Sequence, residues 1–207
     1  MALALRKEEE IYTFADFLAW DEDVRAEIID GEVWMQAAPL TEHQLVSMSL
    51  SAQLYQYLRG KTCRVVSAPF AVRLFEKEGD RPEDVKTVVQ PDIAVICDRA
   101  KIDRIGCKGA PDLVIEILSP SNRRHDQIKK MDLYWRAGVR EYWIVDPEEK
   151  TVLTYRWNEA GYVFAGGGTE TDHIKVGILD DCEIDLAEAF SGAEAAAPAD
   201  EGGGEKE

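Results

Sequence analysis

The chain has no Cys-x-x-Cys pair. Its four cysteines, Cys63, Cys97, Cys107 and Cys182, stand apart, and its three histidines, His43, His125 and His173, are equally scattered. That spacing excludes the usual structural zinc frameworks. Cys63 and Cys97 lie in apolar runs and read as small core residues. No apolar run is long enough to cross a bilayer, and MALALRKEEE at the start lacks the apolar core of a secretory signal. A cytoplasmic protein with no membrane contact is therefore expected. The sequence shows no internal repeat.

Positive charge is also scarce. Lys and Arg number 24 against 40 Asp and Glu, for a net charge of −16. Taken whole, that balance argues against a nucleic-acid partner. Its distribution does not: residues 1–42 carry 3 basic and 11 acidic side chains, 43–98 carry 7 and 7, 99–140 carry 10 and 5, and 141–207 carry 4 and 17. Phosphate is attracted by the local field rather than by the total. The single basic stretch, 99–140, is thus the candidate phosphate-facing segment, although Lys and Arg there also suit a solvated helix face.

What the chain does have is a length of 207 residues and 45% hydrophobic content, which suit one folded domain. Residues 1–190 read as that domain. Residues 191–207, rich in Ala, Gly and acids, have too little apolar surface to fold and read as a disordered tail. A short helix is predicted over 11–20 with Thr13 as its cap, then a hairpin over 26–35 turning at Asp30-Gly31. Thr41 is the expected cap of a helix that Gly60 ends. Strands follow at 63–75, 88–97 and 112–118, separated by loops at 76–87 and 98–111. A helix over about 123–137, capped by Ser121 or Asn122 and ended by Gly138, leads to a strand at 139–146, a hairpin around 158–161 and a last strand and short helix. The order predicts an α/β domain with a mixed central sheet.

One stretch carries the chemistry: LVIEILSPSNRRHDQIKKMDLYW, residues 113–135. Strand side chains alternate between faces, so Glu116 shares a face with Val114 and Leu118. A lone carboxylate among apolar neighbours needs a proton, a metal or a cation. The preceding strand offers Asp92, directly after Pro91. Two acids on adjacent strands repel, and a divalent cation relieves that repulsion. On a wheel of about 100° per residue with Ile128 at zero, Met131, Tyr134, Trp135 and Gly138 centre an expected buried face near 300°. Lys130 then flanks that face and reaches back towards the strand end, Gln127 points inward, and Lys129 faces water. Asp126 and Lys130 also have the spacing of a surface ion pair.

These residues carry a resemblance. Pro91-Asp92 followed by the glutamate of the next strand resembles the PD-(D/E)XK nuclease superfamily. A longer set, EIIDGE at 27–32, His43-Gln44, QPDIAV, GAPDLVIEILSPS at 109–121, the spacing of Asp126, Lys130 and Tyr134, and GVREYWIVDP at 138–147, resembles the Uma-two family of restriction endonucleases over roughly 11–165. The resemblance implies a restriction-endonuclease-like fold, a mixed central sheet flanked by helices, with the N-terminal helix and hairpin added. It also implies a Mg²⁺-dependent nuclease, Mn²⁺ substituting, that hydrolyses phosphodiester bonds of nucleic acid, DNA foremost. In the wider superfamily a Lys stands where this chain has Leu118, and the resemblance moves it to Lys130, the residue the wheel selects.

The implied site is then Asp92 and Glu116 as metal ligands with the Ile117 carbonyl, and Lys130 acting on the attacking water or the developing charge. Glu27 is a further acid by its matching position. Arg123 and Arg124 would bind flanking phosphates, and His43 and Gln127 would support the ligands. A homodimer is left open. Two alternatives of other classes remain: a catalytically silent nucleic-acid-binding module on the same fold, or an interaction protein using its acidic tail.

Overall fold

A computed structural model describes residues 11–21, 23–119 and 125–192, and the side chains of 125–127 are not among the described ones. The first elements form a cap. Helix α1 (Phe14–Ala19) starts at Thr13, whose backbone N–H donates to Asp16 Oδ2 at 2.7 Å. Strands β1 (Ala26–Ile29) and β2 (Glu32–Met35) pair as the expected hairpin. Its turn places Asp30 at φ 50° and Gly31 at φ 84°, the left-handed pair a two-residue hairpin demands.

Helix α2 (Thr41–Leu58) follows, with Leu40 as its cap, so Thr41 opens the helix rather than capping it. Gly60, at φ 75°, stands just beyond its end. The single strand expected over 63–75 is two. Strand β3 (Arg64–Ser67) lies in the central sheet, the Ala68–Pro69 peptide is cis, and β4 (Ala71–Arg73) leaves that sheet to pair in parallel with β6 (Gly106–Lys108). Proline has no N–H to continue the ladder. The same limit shortens the strand expected at 88–97. Val88 and Val89 bridge to Ile28 and Val72, and only β5 (Ile93–Ile96), beyond Pro91, joins the central sheet.

Strand β7 (Leu113–Ile117), helix α3 (His125–Ala137), β8 (Glu141–Asp146), β9 (Thr151–Asn158) and β10 (Gly161–Thr169) complete the centre. Then come β11 (His173–Lys175), absent from the sequence expectation, β12 (Glu183–Asp185) and α4 (Leu186–Ser191). The six-stranded sheet runs β10-β9-β8-β7-β5-β3, with β7 and β8 parallel and the other neighbours antiparallel. The predicted mixed sheet with flanking helices is the observed architecture.

Each face of the sheet is covered by helix. On one, Val46, Leu50, Leu54 and Leu58 of α2 pack on Ile93, Val95, Leu113, Ile115 and Ile117. On the other, Leu133 and Tyr134 of α3 pack on Ile96, Val114, Tyr142 and Ile144. Period-two alternation therefore sends Glu116 to the α3 face with Val114, as the sequence implies. The wheel for α3 needs rotating. Ile128 is 75% exposed, whereas Leu133 and Tyr134 are fully buried. Leu133, Ala137, Lys130 and Tyr134 centre the inward face near 190° instead of about 300°. Trp135 pulls the expected centre away: it is apolar, yet it lies about 150° from the observed centre and is only half-buried.

Cys63 and Cys97 also depart from expectation. They form a disulfide, closing the next cross-strand step beyond the Arg64–Ile96 pair. The two free cysteines, Cys107 and Cys182, are buried.

Candidate active site

The register of β5 and β7 builds the site. Ile93 faces Ile115 and Ala94 faces Val114, so one more step sets Asp92 opposite Glu116. Asp92 Oδ2 accepts the Ile117 N–H at 2.7 Å, which fixes the carboxylate at the strand end. His43, in the first turn of α2, places Nε2 at 3.3 Å from Asp92 Oδ1. Its Nδ1 is buried without a partner among the described residues. Burial opposes charge on that imidazole, but the hydrogen bond and charge of Asp92, with the charge of Glu116, outweigh it and raise the pKa.

Lys130 enters from α3. Its Nζ lies 3.0 Å from Glu116 Oε1 and 3.2 Å from Glu27 Oε2. Glu27 comes from the β1–β2 hairpin and accepts the Gln90 N–H at 2.7 Å on its other oxygen. One lysine thus ties hairpin, sheet and helix together. Glu116 Oε1 also accepts the Tyr134 hydroxyl at 2.5 Å. Lys130 and Tyr134 are one helical turn apart, so the same face of α3 presents both.

Electrostatics follow from burial. Glu27 and Glu116 are 2% and 8% exposed. Loss of water raises Glu116 to about 7, with Asp92 and Glu27 adding to the rise and Lys130 and Tyr134 working against it. Burial would discharge Lys130, yet Glu116 and Glu27 hold its pKa well above normal, so it stays a cation at neutral pH. Burial likewise pushes the Tyr134 hydroxyl well above its usual value, and it remains a neutral donor.

Asp92, Glu116, Ile117, His43 and Lys130 line one cleft of about 280 Å³. Glu27 touches it through Lys130. Arg123 and Arg124 lie outside the described residues, as do the side chains of Asp126 and Gln127. Among the described residues, the basic stretch is not gathered on the cleft. Arg99 donates to the carbonyls of Lys61 and Thr62, Lys101 to that of Ala110, Arg136 pairs with Asp30 and Asp132, and Arg140 with Asp112. Among the described residues of 99–140, Lys130 is the basic side chain that lines it. Lys129 is exposed as expected, but it lies over the Trp34 ring at 3.8 Å rather than free in water.

Sequence reasoning assigned Tyr134 to the core and missed its contact with Glu116. Its spacing of four from Lys130 was the available signal. Arg25, which also lines the cleft, had no signal beyond standing two residues before Glu27.

A cation would find hard oxygen donors here. Among the described residues no group of three or more His, Cys, Asp or Glu is gathered to hold a metal. Asp92, Glu116 and the Ile117 carbonyl would offer two carboxylates and one carbonyl, a donor set that suits an ion keeping several waters, as Mg²⁺ does. Burial raises the Glu116 pKa and the charges of Asp92 and Glu27 add to the rise, and a cation beside these carboxylates would oppose it.

Comparison with known proteins agrees with this architecture. A family model described as "Uma2: Putative restriction endonuclease" matches residues 14–187. A protein of Synechocystis sp. described as uncharacterized is 24% identical over 149 residues, 70% of this chain and 74% of that one. "Phospholipid-transporting ATPase IC" of Xenopus tropicalis is 29% identical over 141 residues, 65% of this chain, and this chain spans only 11% of its length. A crystal structure from Anabaena variabilis titled a putative nuclease belonging to DUF820 superposes with a TM-score of 0.69 at 20% identity, covering 88% of this chain and 99% of that one. At that identity the likeness establishes the shared fold.

Proposed function

Because the chain belongs to the Uma2 family, described as putative restriction endonucleases, we propose that it is a metal-dependent nuclease that hydrolyses phosphodiester bonds, with DNA as substrate and Mg²⁺ or Mn²⁺ as cofactor. The observation that carries this reading is the position of Lys130, with Nζ at 3.0 Å from Glu116 and 3.2 Å from Glu27, in the cleft where Asp92 is anchored on the next strand.

Asp92, Glu116 and the Ile117 carbonyl would hold the ion. When bound, it would supply charge relief at the phosphate and an acidic water. Lys130, being a persistent cation, does not take the water's proton. It stabilises the charge that develops on the phosphoryl oxygens, which a buried fixed charge does at no cost of reorganisation. Glu27 keeps the ammonium aimed into the cleft. Tyr134 holds Glu116 Oε1, and His43 holds Asp92 Oδ1. Arg123 and Arg124, which directly precede α3 in sequence, would bind flanking phosphates.

The net charge of −16 favours one second reading, a catalytically silent interaction module on the same fold. Cleavage of supercoiled plasmid and of circular single strands, with Mg²⁺ or Mn²⁺, separates the two when run beside Glu116→Gln and Lys130→Met. Nicking that needs metal and both residues is the expected result. No nicking with either ion, or nicking undiminished by Glu116→Gln, overturns the nuclease.

A further inference from the structure

The cleft continues past its charged residues. A second recess of about 450 Å³ opens beside it, and Arg25, Gln36 and Pro69 are among the walls the two share. The far wall is aromatic. Phe17 and Trp20 at the end of α1 have ring centroids 5.4 Å apart and planes inclined at 52°. Both rings are half-buried, and Phe17 is backed by Phe14, Ala71, Val85 and Val88.

Arg25 stands at the junction. It directly precedes β1, two residues before Glu27, and in extended chain that sets the two Cα atoms about 6.6 Å apart. That is close to one step along a nucleic-acid backbone. The Arg25 side chain is exposed, and its carbonyl accepts the Gln36 N–H at 2.8 Å, which fixes this segment to the hairpin. Beyond it, Asp21 and Asp23 rim the aromatic end. Carboxylates there repel phosphate but accept hydrogen bonds from the exocyclic amines of a base. The polarity of the recess is therefore phosphate at Arg25 and base beyond.

Resting on the nuclease reading, we infer that the substrate carries an unpaired nucleotide one step from the bond cut, with its phosphate on Arg25 and its base on Trp20 and Phe17. A base inside a duplex is covered on both faces by its neighbours and cannot lie on an aromatic wall. A single-stranded or extruded base can. A chain this acidic also meets a duplex, with its denser phosphate charge, at a greater electrostatic disadvantage than it meets a single strand.

The test uses the full chain in the Glu116→Gln background, so that substrate stays intact. Fluorescence anisotropy would compare a short labelled single strand, the blunt duplex of the same sequence, and that duplex with one bulged nucleotide. The single strand and the bulged duplex should bind at least about tenfold tighter than the blunt duplex. Trp20→Ala should weaken those two by about tenfold to a hundredfold and leave the blunt duplex unchanged. Trp20→Phe should restore most of the loss, and it carries the test if the alanine variant does not fold. Arg25→Ala should weaken all three and reduce the salt slope by about one. Equal binding of blunt duplex and single strand overturns the inference. So does a Trp20→Phe variant that melts normally yet loses the preference. Metal-dependent cleavage of blunt duplex, undiminished by Trp20→Ala in the otherwise wild-type chain, refutes the subsite and leaves the nuclease standing. The binding pattern without cleavage by the wild-type chain supports the subsite and refutes hydrolysis.

Discussion

At the scale of residues, the two adjacent lysines are the sharpest contrast. Lys130 is half-buried between two carboxylates, and Lys129 is exposed over Trp34. Equal charge and propensity would make them interchangeable if attraction of phosphate were all that mattered. Lys130→Met should instead lower turnover by orders of magnitude with binding little changed, because it removes an interaction made chiefly in the transition state. Lys129→Met should at most soften the salt dependence. Cleavage rates of both variants at two ionic strengths decide it, and equal losses would refute the assigned role. Glu116 adds a pH signature. Its folded pKa of about 7 lies above the ordinary carboxylate value of 4.5, so the folded state prefers the protonated form. The stability this contributes is complete below pH 4.5 and is lost as pH rises through 7. Glu116→Gln imitates the protonated side chain at every pH. Relative to that variant, the wild-type chain should lose about 2–3 kcal/mol between pH 5 and pH 8 in chelator. Urea unfolding at both pH values measures the difference, and parallel pH profiles for the two proteins would refute it.

At the scale of elements, two joints hold the strands that carry the acids. The hairpin turn presents Glu27, and Gly31 in it has φ 84° with the place of a Cβ only 2.7 Å from Ile11 Cγ2. Gly31→Ala meets both a left-handed backbone and that contact, so it should cost roughly 1–2 kcal/mol or more. Because the hairpin holds Lys130 through Glu27, activity should fall further than stability alone predicts. An intact rate at temperatures where the variant remains folded would separate the hairpin from the site. The second joint is the disulfide between Cys63 and Cys97, which ties the ends of β3 and β5 across a separation of 34 residues. Its loss in a Cys63→Ser, Cys97→Ser double variant should lower stability by about 3–4 kcal/mol by the loop-entropy model. Dithiothreitol should destabilise the wild-type chain alone. A melting temperature unmoved by either treatment would refute the contribution.

At the scale of the whole molecule, charge and substrate oppose one another. Residues 193–207 hold five acids and one lysine, about a quarter of the net charge of −16. Deleting them should leave melting unchanged and raise nucleic-acid affinity at low salt, an effect that fades as the Debye length shrinks towards 8 Å near physiological ionic strength. A large fall in melting temperature would show that the tail packs on the domain. The bound cation belongs to this scale as well, since a ligand that binds only the native state shifts unfolding by mass action. Mg²⁺ should raise the melting temperature of the wild-type chain above pH 7, where Glu116 is ionised, and do so far less for Asp92→Ala. Equal shifts in the two proteins would place the ion elsewhere.

Alone, the sequence determined the mixed α/β order, the hairpin at Asp30-Gly31, the face of β7 that carries Glu116 and the placing of Asp92 on the neighbouring strand. Each follows from local rules: period two in a strand, a left-handed turn pair, a charge where only apolar residues belong. Glu27 entered through the family resemblance alone, and Lys130 through that resemblance and a wheel whose centre the structure moves. Three things were decided only by the tertiary structure. The rotation of α3 depends on what the sheet and hairpin offer its sides, so Ile128 is exposed and Tyr134 bonds Glu116. The breaks at Pro69 and Pro91 depend on which neighbour each strand finds, so β4 pairs with β6 instead of extending β3. The disulfide and the meeting of Glu27 with Lys130 join residues 34 and 103 positions apart. No periodicity spans such separations. They are set by the register of the sheet, which brings distant strand ends together only once the core has closed.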